Sequence, residues 1–567
     1  MKNILRIGFV ALAISFCGVA KAQQINGTFD DTWETCTPYS SGETKSVGTQ
    51  PQGWKAANVA GYNLVIWFGT TEIITQLTSS KSETHTGNYA VKLENKSVLS
   101  NIIPGYMSLG TTWNTANTKG ENADGGTFGG KSFTYHPDAI RFYYKRTMAS
   151  GNSQPGSVVA YLWKGTTTQA DVPANVASSA TTVTMTNRDA NVLNRTYSLG
   201  GNVTYSADFE LIATIGKENE SDSEQGYRAE VYLNDTPSDW TEMTCEFDYH
   251  SESNPTMINV IFGAMENYAG KANNESGNTL SVDDVTLLYY HALSALSYEG
   301  ATIDFSETTT SYDLSSYLYD ESKLSYTKKG QGASLTKSYD VETGILTIRV
   351  QGEDYDASSN ADAYTEYTIQ FKPCSASMSI SSTAQYATFV APFDVTVPSG
   401  VTAYTVSGYE DGSATLKMTE VSGTIPANTP VILNSESDLT ENVYGINSAT
   451  GTSVTSGLLT GVYSDYQTTG GEYVLQNHDG KVAFYKVDAS GAKPWVRANH
   501  CYIPASASSA KMLNLNNDAT AISTLSALTS GEYESIYSAS GAKQNSLQKG
   551  VNILKMNDGT TRKVLVK

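Results

Sequence analysis

The sequence predicts an all-β chain, an N-terminal jelly-roll β-sandwich followed by immunoglobulin-like and further small β-sandwich domains. Composition is the first ground. The 567 residues include 36 tyrosines and 47 glycines, and only 17 % are charged. With Thr, Ser and Val also abundant, this suits pleated, half-buried surfaces. The second ground is that no long stretch keeps the 3.6-residue apolar period of a helix. The third is punctuation: clusters of Gly, Asn, Asp and Ser separate short apolar runs at close intervals, as in sandwiches.

Residues 1–22 read as an export signal rather than as structure. Lys2 and Arg6 make a positive start, residues 7–19 form a mostly apolar run too short to span a bilayer, and Ala20-Lys21-Ala22 offers a signal-peptidase site. A lipoprotein anchor at Cys17 competes, but Phe16 stands where that processing needs a small side chain. No later run reaches the ~20 apolar residues of a spanning helix. The expectation is a chain without a transmembrane segment, secreted or displayed at the cell surface. The 545 residues that remain (567 − 22) suit three to five domains.

A net charge of −20 repels nucleic-acid phosphates and anionic lipid, and is compatible with neutral ligands. Cys36, Cys245, Cys374 and Cys501 outlast the signal, and no two are spaced as a CxxC motif. Export permits disulfides. If bridges exist, Cys36–Cys245 and Cys374–Cys501 are favoured, because each pair falls at the two ends of one domain. The alternative is four buried thiols acting as small apolar side chains.

The first domain, 23–290, holds six of the seven tryptophans. Strand-like runs at 89–93, 140–145, 158–163, 229–233, 244–249, 258–262 and 280–290 alternate with polar turns, the pattern of a two-sheet jelly roll. Insertions at 114–131 and 164–203, rich in Gly, Asn and Thr, are expected as loops or extra hairpins. Several pieces come in a set order: Asn26-Gly27-Thr28-Phe29-Asp30 with Trp33, then Pro51-Gln52-Gly53-Trp54, then Thr86-Gly87-Asn88-Tyr89-Ala90-Val91-Lys92-Leu93. Arg141-Phe142-Tyr143-Tyr144-Lys145 and the closing Val282-Asp283-Asp284-Val285 complete them. This set resembles a carbohydrate-binding jelly roll, and more narrowly the family of candidate carbohydrate-metabolism domains of secreted bacterial proteins. The resemblance implies a fold and an association with glycans, since that family has no established reaction.

Residues 291–375 show five or more short alternating strands, which fits an immunoglobulin-like spacer without the antibody Cys/Trp pins. Residues 376–520 read as a β-sandwich accessory domain. Within it Ile425-Pro426-Ala427-Asn428-Thr429-Pro430-Val431-Ile432-Leu433 is faintly echoed by Val496-Arg497-Ala498-Asn499-His500-Cys501-Tyr502-Ile503, either as related half-motifs or by chance. The tail, 521–567, carries three short strand runs and ends Lys563-Val564-Leu565-Val566-Lys567. It resembles the C-terminal sorting domains that direct cargo through an outer-membrane secretion machinery; the alternative is a hairpin capping the sandwich.

The resemblance implies a structural Ca²⁺ between the first and last strands of the jelly roll, with Asp30 and Asp283 in the matching places. Calcium wants six to eight hard oxygens. Alternation would send Asp283 and Asp284 to opposite faces, so only one can join Asp30. Otherwise these carboxylates accept turn hydrogen bonds. Sugar binding needs exposed ring faces. Trp33, Trp163 and Trp240 sit in strand-like runs and read as packing. Trp113, beside a long polar loop, is the leading platform, with Trp67 and Tyr62 behind it. No catalytic residue is assigned. Gly-x-Ser-x-Gly is absent, the six histidines never take HxH or HExxH spacing, and nothing selects a carboxylate pair. The function this points to is a non-catalytic, exported glycan-binding protein. The alternatives are a glycoside hydrolase or lyase with its site in the jelly roll, and a structural adhesin that binds protein.

Overall fold

In a computed structural model the described residues are 25–36, 39–40, 48–56, 58–65, 71–76, 79–98, 101–114, 125–169, 203–205, 207–215, 230–266, 275–410, 414–515, 533–557 and 561–566. The proposed signal 1–22 with Cys17, as well as Trp67, lies outside them. The chain is all β. Among the described residues there is no α-helix, only 3₁₀ turns at Glu321–Lys323 and Ala505–Ala507.

Strands with one apolar face must bury it, and the first unit does so by folding one antiparallel sheet onto itself. In chain order its main strands are β1 (Lys55–Ala56), β2 (Ser79–Ser82), β3 (Ala90–Glu94), β4 (Tyr106–Ser108) and β5 (Ala139–Thr147). They continue with β6 (Gly156–Lys164), β7 (Glu210–Ile215), β8 (Thr241–Tyr249), β9 (Met257–Gly263) and β10 (Thr279–Leu288). The order across the sheet is β1-β4-β9-β6-β7-β8-β5-β10-β3-β2. β7 and β8 share only three paired positions, and there the sheet turns over. The two layers close on one core, where Phe142 of β5 meets Phe262 of β9 at 5.0 Å between ring centres. β6 is buried on both faces: Val158, Ala160 and Leu162 enter this core, while Val159, Tyr161 and Trp163 form a second cluster with Phe209 and Ile261. Hairpins at Thr111–Asn114 with Gly125–Phe128, and Thr167–Gln169 with Val203–Tyr205, open the two expected insertions.

The opening segment is stapled to the closing strand. Val285 N donates to Gly27 O at 2.9 Å. A Cβ on Gly27 would lie 1.8 Å from Val285 O, so no other residue fits there. Trp54 is fully buried, donates through Nε1 to Asn26 O at 2.6 Å, and packs on Phe29 and Phe262.

Of the two readings of the cysteines the unbridged one holds: all four thiols are free, Cys36, Cys245 and Cys501 buried and Cys374 partly so. Burial pushes the Cys36 and Cys245 thiols both up to about 11, Cys245 within the apolar core and Cys36 beside Asn58 and Ala56 O. Cys501 donates to Phe389 O at 3.2 Å.

The second unit is a two-sheet sandwich. β11 (Leu293–Tyr298) pairs with β13 (Leu324–Lys328), facing a sheet of β12 (Ser311–Leu318), β16 (Tyr364–Lys372), β15 (Ile345–Gln351) and β14 (Ser334–Asp340). Tyr298, Leu346, Ile348, Tyr367 and Phe371 fill its core. It seats directly on the first unit. Asp138, buried just before β5, accepts from Tyr290 N at 2.6 Å and from Gln331 N at 2.7 Å. His136 N donates to Glu353 at 2.5 Å.

In the third unit the echo is real and longer than the sequence showed. Its relevant strands are β17 (Tyr386–Phe389), β18 (Val395–Thr396), β19 (Thr424–Ile425), β20 (Val431–Asn434), β21 (Leu459–Val462), β22 (Tyr466–Gln467), β23 (Trp495–Val496) and β24 (His500–Tyr502). Asp394 Oδ1 accepts from Ala427 N at 2.7 Å, and 71 residues on (465 − 394 = 71) Asp465 Oδ1 accepts from Ala498 N at 2.9 Å. The same step carries the β18–β19 pairing onto β22–β23, and the pair Phe389–Val431 onto Thr460–Tyr502. It also carries the left-handed Asn428 (φ 58°) onto Asn499 (φ 64°). Asn tolerates that conformation better than most residues, which is why Ala-Asn survives in both copies.

The tail forms a four-stranded sheet, β26 (Lys543–Gln544), β25 (Tyr533–Ser538), β27 (Gly550–Met556) and β28 (Thr561–Val566), around Ile536, Leu554, Met556 and Val564.

Candidate functional site

The first unit presents a group of rings around one turn, residues 84–89, which links β2 to β3. Carboxylates from both ends of the unit hold this turn. Asp283, fully buried on β10, accepts from His85 N at 2.7 Å, Thr84 Oγ1 at 3.1 Å and Thr86 N at 3.3 Å. Asp30 Oδ1 accepts from Asn88 N and, at 3.0 Å, from Tyr89 N. A Cβ on Gly87 (φ 68°) would collide with the Asp30 carboxylate, so the turn needs glycine there.

Alternation does not separate Asp283 from Asp284. Asp284 has φ 47° and lies where the β5–β10 register slips, a bulge that turns both side chains toward the same turn. Asp284 Oδ2 lies 2.7 Å from His85 Nδ1 and accepts from Thr86 Oγ1 at 2.8 Å. Burial raises the Asp283 carboxyl above its ordinary value, and the N–H donors around it act the other way. Among the described residues no three His, Cys, Asp or Glu side chains gather to hold a metal. The carboxylates of Asp30 and Asp283 accept from peptide N–H groups of the turn.

The turn places His85 on the outer face. β5 alternates strictly, with Ile140, Phe142 and Tyr144 inward and Arg141, Tyr143 and Lys145 outward. The Tyr143 ring stacks on His85 at 3.8 Å and 15°, and its hydroxyl donates to Glu242 Oε2 at 2.5 Å. That bond to a carboxylate raises the Tyr143 phenol above its ordinary value. Trp240, just before β8, lies 6.0 Å from His85, donates through Nε1 to Thr84 O at 3.0 Å, and carries Lys145 Nζ 5.0 Å above its ring. At the far end of the turn Tyr89 and Trp33 meet edge to face at 6.4 Å, with Lys81 Nζ 3.8 Å above Tyr89. All five rings keep part of their surface in solvent.

Of the three tryptophans read as packing, Trp163 is core and Trp33 packs partly buried against the first core, while Trp240 lies outside the core clusters with part of its surface in solvent. Of the three predicted platforms, Trp113 lies on the Thr111–Asn114 strand opposite Gly126, and Tyr62 on the Val59–Val65 strand opposite Ile74. Sequence reasoning missed His85 and Tyr143. The outward positions of a strand beside a Thr-Gly-Asn turn were the signal available for Tyr143.

No family model matches the chain, and no curated protein matches it. Among solved structures, a candidate glycoside hydrolase from Bacteroides vulgatus is similar at 14 % identity, covering 47 % of this chain and 99 % of that one, with a TM-score of 0.27. The N-terminal CBM22-1–CBM22-2 tandem of Paenibacillus barcinonensis Xyn10C is similar at 7 % identity, covering 76 % and 89 %, with a TM-score of 0.18. Likeness this loose carries no weight for function, which has to come from the residues.

Proposed function

We propose that the chain is an exported glycan-binding protein whose first unit holds a polysaccharide at the turn 84–89. One observation carries this reading: five part-exposed rings lie along a single turn, among hydroxyl and carboxylate groups fixed by hydrogen bonds and two ammonium groups seated over ring faces. A sugar presents an apolar C–H face and an equatorial rim of hydroxyls. Burying the former on a ring yields roughly 25 cal/mol per Å², so one ring binds weakly and several sugars are needed. Support for export is the signal-like segment 1–22, and the tail's own small sheet and core support its reading as a sorting domain.

The test is retardation of the full chain in gels cast with polysaccharide, compared with Tyr143→Ala. Tyr143 points outward, so its loss is expected to weaken retention at least threefold with an unchanged unfolding midpoint. Retention is also expected to survive high salt, because no charge pair drives it. Equal retention of the two proteins sinks the reading, and release of reducing sugar from the gel would move it to a hydrolase.

In the same proposal Asp30 and Asp283 hold the turn without metal. The unfolding midpoint is expected to be equal with calcium and with chelator. Asp30→Ala should cost about 1 kcal/mol in both, for two unmet N–H groups near solvent. A calcium-dependent midpoint that Asp283→Ala abolishes would restore the metal.

A further inference from the structure

The internal repeat of the third unit serves as a control on its own surface. β22 and β23 form a two-stranded ribbon whose inward side holds Val496 and whose outward side is Asp465, Gln467, Trp495 and Arg497. Its copy, β18 with β19, has the same register, the same buried apolar position at Ile425 and the same Asp-to-Ala bond. There the outward residues are Asp394, Thr396, Thr424 and Pro426. The fold therefore needs the aspartate, which both copies keep. It does not need an indole, because threonine makes the same ribbon at the equivalent place. Yet Trp495 stands 50 % exposed, far beyond what packing asks of so large a ring.

We propose that this ribbon is a second sugar-contact surface, with Trp495 as the platform and a neutral polysaccharide as the ligand. It rests on Trp495 alone and stands or falls apart from the ring cluster of the first unit. Three observations choose the occupant. Arg497 Nη1 bonds Asp465 Oδ2 at 2.6 Å while Asp465 Oδ1 is held by Ala498 N, so donor and acceptor are fixed side by side. That pair is charge-balanced, which suits vicinal hydroxyls and gives no pull on an acidic or basic polymer. Gln467, cross-strand from Trp495, adds an amide with both donor and acceptor on the same face. Finally, the apolar area is one ring wide. Ile446 is the only other exposed large apolar side chain described in this unit, too little for a protein interface, which buries on the order of 1,000 Å² or more.

The test uses the full chain with Trp495→Thr, the residue its repeat carries, so that the ribbon is kept. Gels cast with xylan, mannan and pullulan are the neutral probes, and pectin the acidic one. At least one neutral gel should retard the native chain, and Trp495→Thr should lose threefold or more of that retardation. Trp495→Tyr, which keeps a ring, should retain most of it. If Trp495→Thr lowers the unfolding midpoint, the comparison of native with Trp495→Tyr and Trp495→Ala decides, since loss in Ala alone keeps the platform. Retardation lost in Tyr143→Ala and unchanged in Trp495→Thr overturns this inference and leaves the first site standing. The reverse pattern supports it and sinks the first. Retardation by pectin alone, or by no gel, overturns it.

Discussion

Trp54→Ala is expected to remove about 4 kcal/mol from the stability of the first unit, near the upper end for a large core side chain. The indole is fully buried between Phe29 of the opening segment and Phe262 of the far layer, and its N–H is the only side-chain donor described to Asn26 O. Truncation leaves a cavity and an unmet carbonyl at the point where residues 25–36 lock onto the sandwich. Urea unfolding followed by tryptophan emission measures the loss. A change under 1 kcal/mol would mean that the opening segment does not pack as described. Trp54→Phe, which fills most of the cavity, should recover more than half.

A second large effect is expected with pH at the junction of the first two units. Asp138 is buried, and burial pushes its carboxyl up to about 6 from 3.8, against the pull of the N–H groups of Gln331 and Tyr290. Glu353 adds to the rise and Lys328 opposes it. The groups facing this junction also include His136, Glu252, Tyr249, Tyr289 and Tyr290. A carboxyl whose folded pKa is raised favours the folded state below its unfolded pKa and loses that contribution as pH climbs through the folded value. The window is therefore pH 4 to 6, and two pKa units correspond to about 3 kcal/mol. Unfolding free energies of native protein and Asp138→Asn, measured from pH 4 to 7, should diverge by that amount, the native chain losing stability relative to the variant as pH rises. The difference cancels other groups that titrate in the same range. Parallel curves would show that Asp138 is not the group responsible.

The architecture was legible because its cause is local. A period-two run such as 140–145 and a short continuous apolar run such as 158–163, parted by turn residues, fix strands wherever they later pair. The site was not, because its rings come from positions 33, 85, 89, 143 and 240. Only the non-local order β8-β5-β10-β3-β2 brings them together. Nothing near Trp240 in sequence tells that Thr84 O will take its N–H. Asp284 misled for a different reason. A single left-handed residue resets the alternation of a strand, and Asp-Asp-Val gives no warning of it. The repeat lay in between. Ala-Asn stood out in both copies, whereas the two aspartates that receive its N–H groups stand 33 residues upstream in each (427 − 394 and 498 − 465) and read as ordinary surface acids.

That repeat has a consequence for the way the third unit is joined. Val390 and Gly461 are equivalent positions, and they touch: a Cβ on Gly461 would lie within 3 Å of the Val390 side chain. Residue against its own counterpart is the contact made on the axis of a symmetric pair. The halves are further joined by Val390 N to Asn499 O at 3.0 Å and by Asn499 Nδ2 to Val390 O at 3.1 Å. The third unit is thus two like halves in one chain, which meet residue against counterpart at Val390 and Gly461. Halves carried in one chain need not be identical, as two copies of one subunit must be. Here glycine faces valine where the halves meet, and one ribbon carries a tryptophan where its twin carries threonine.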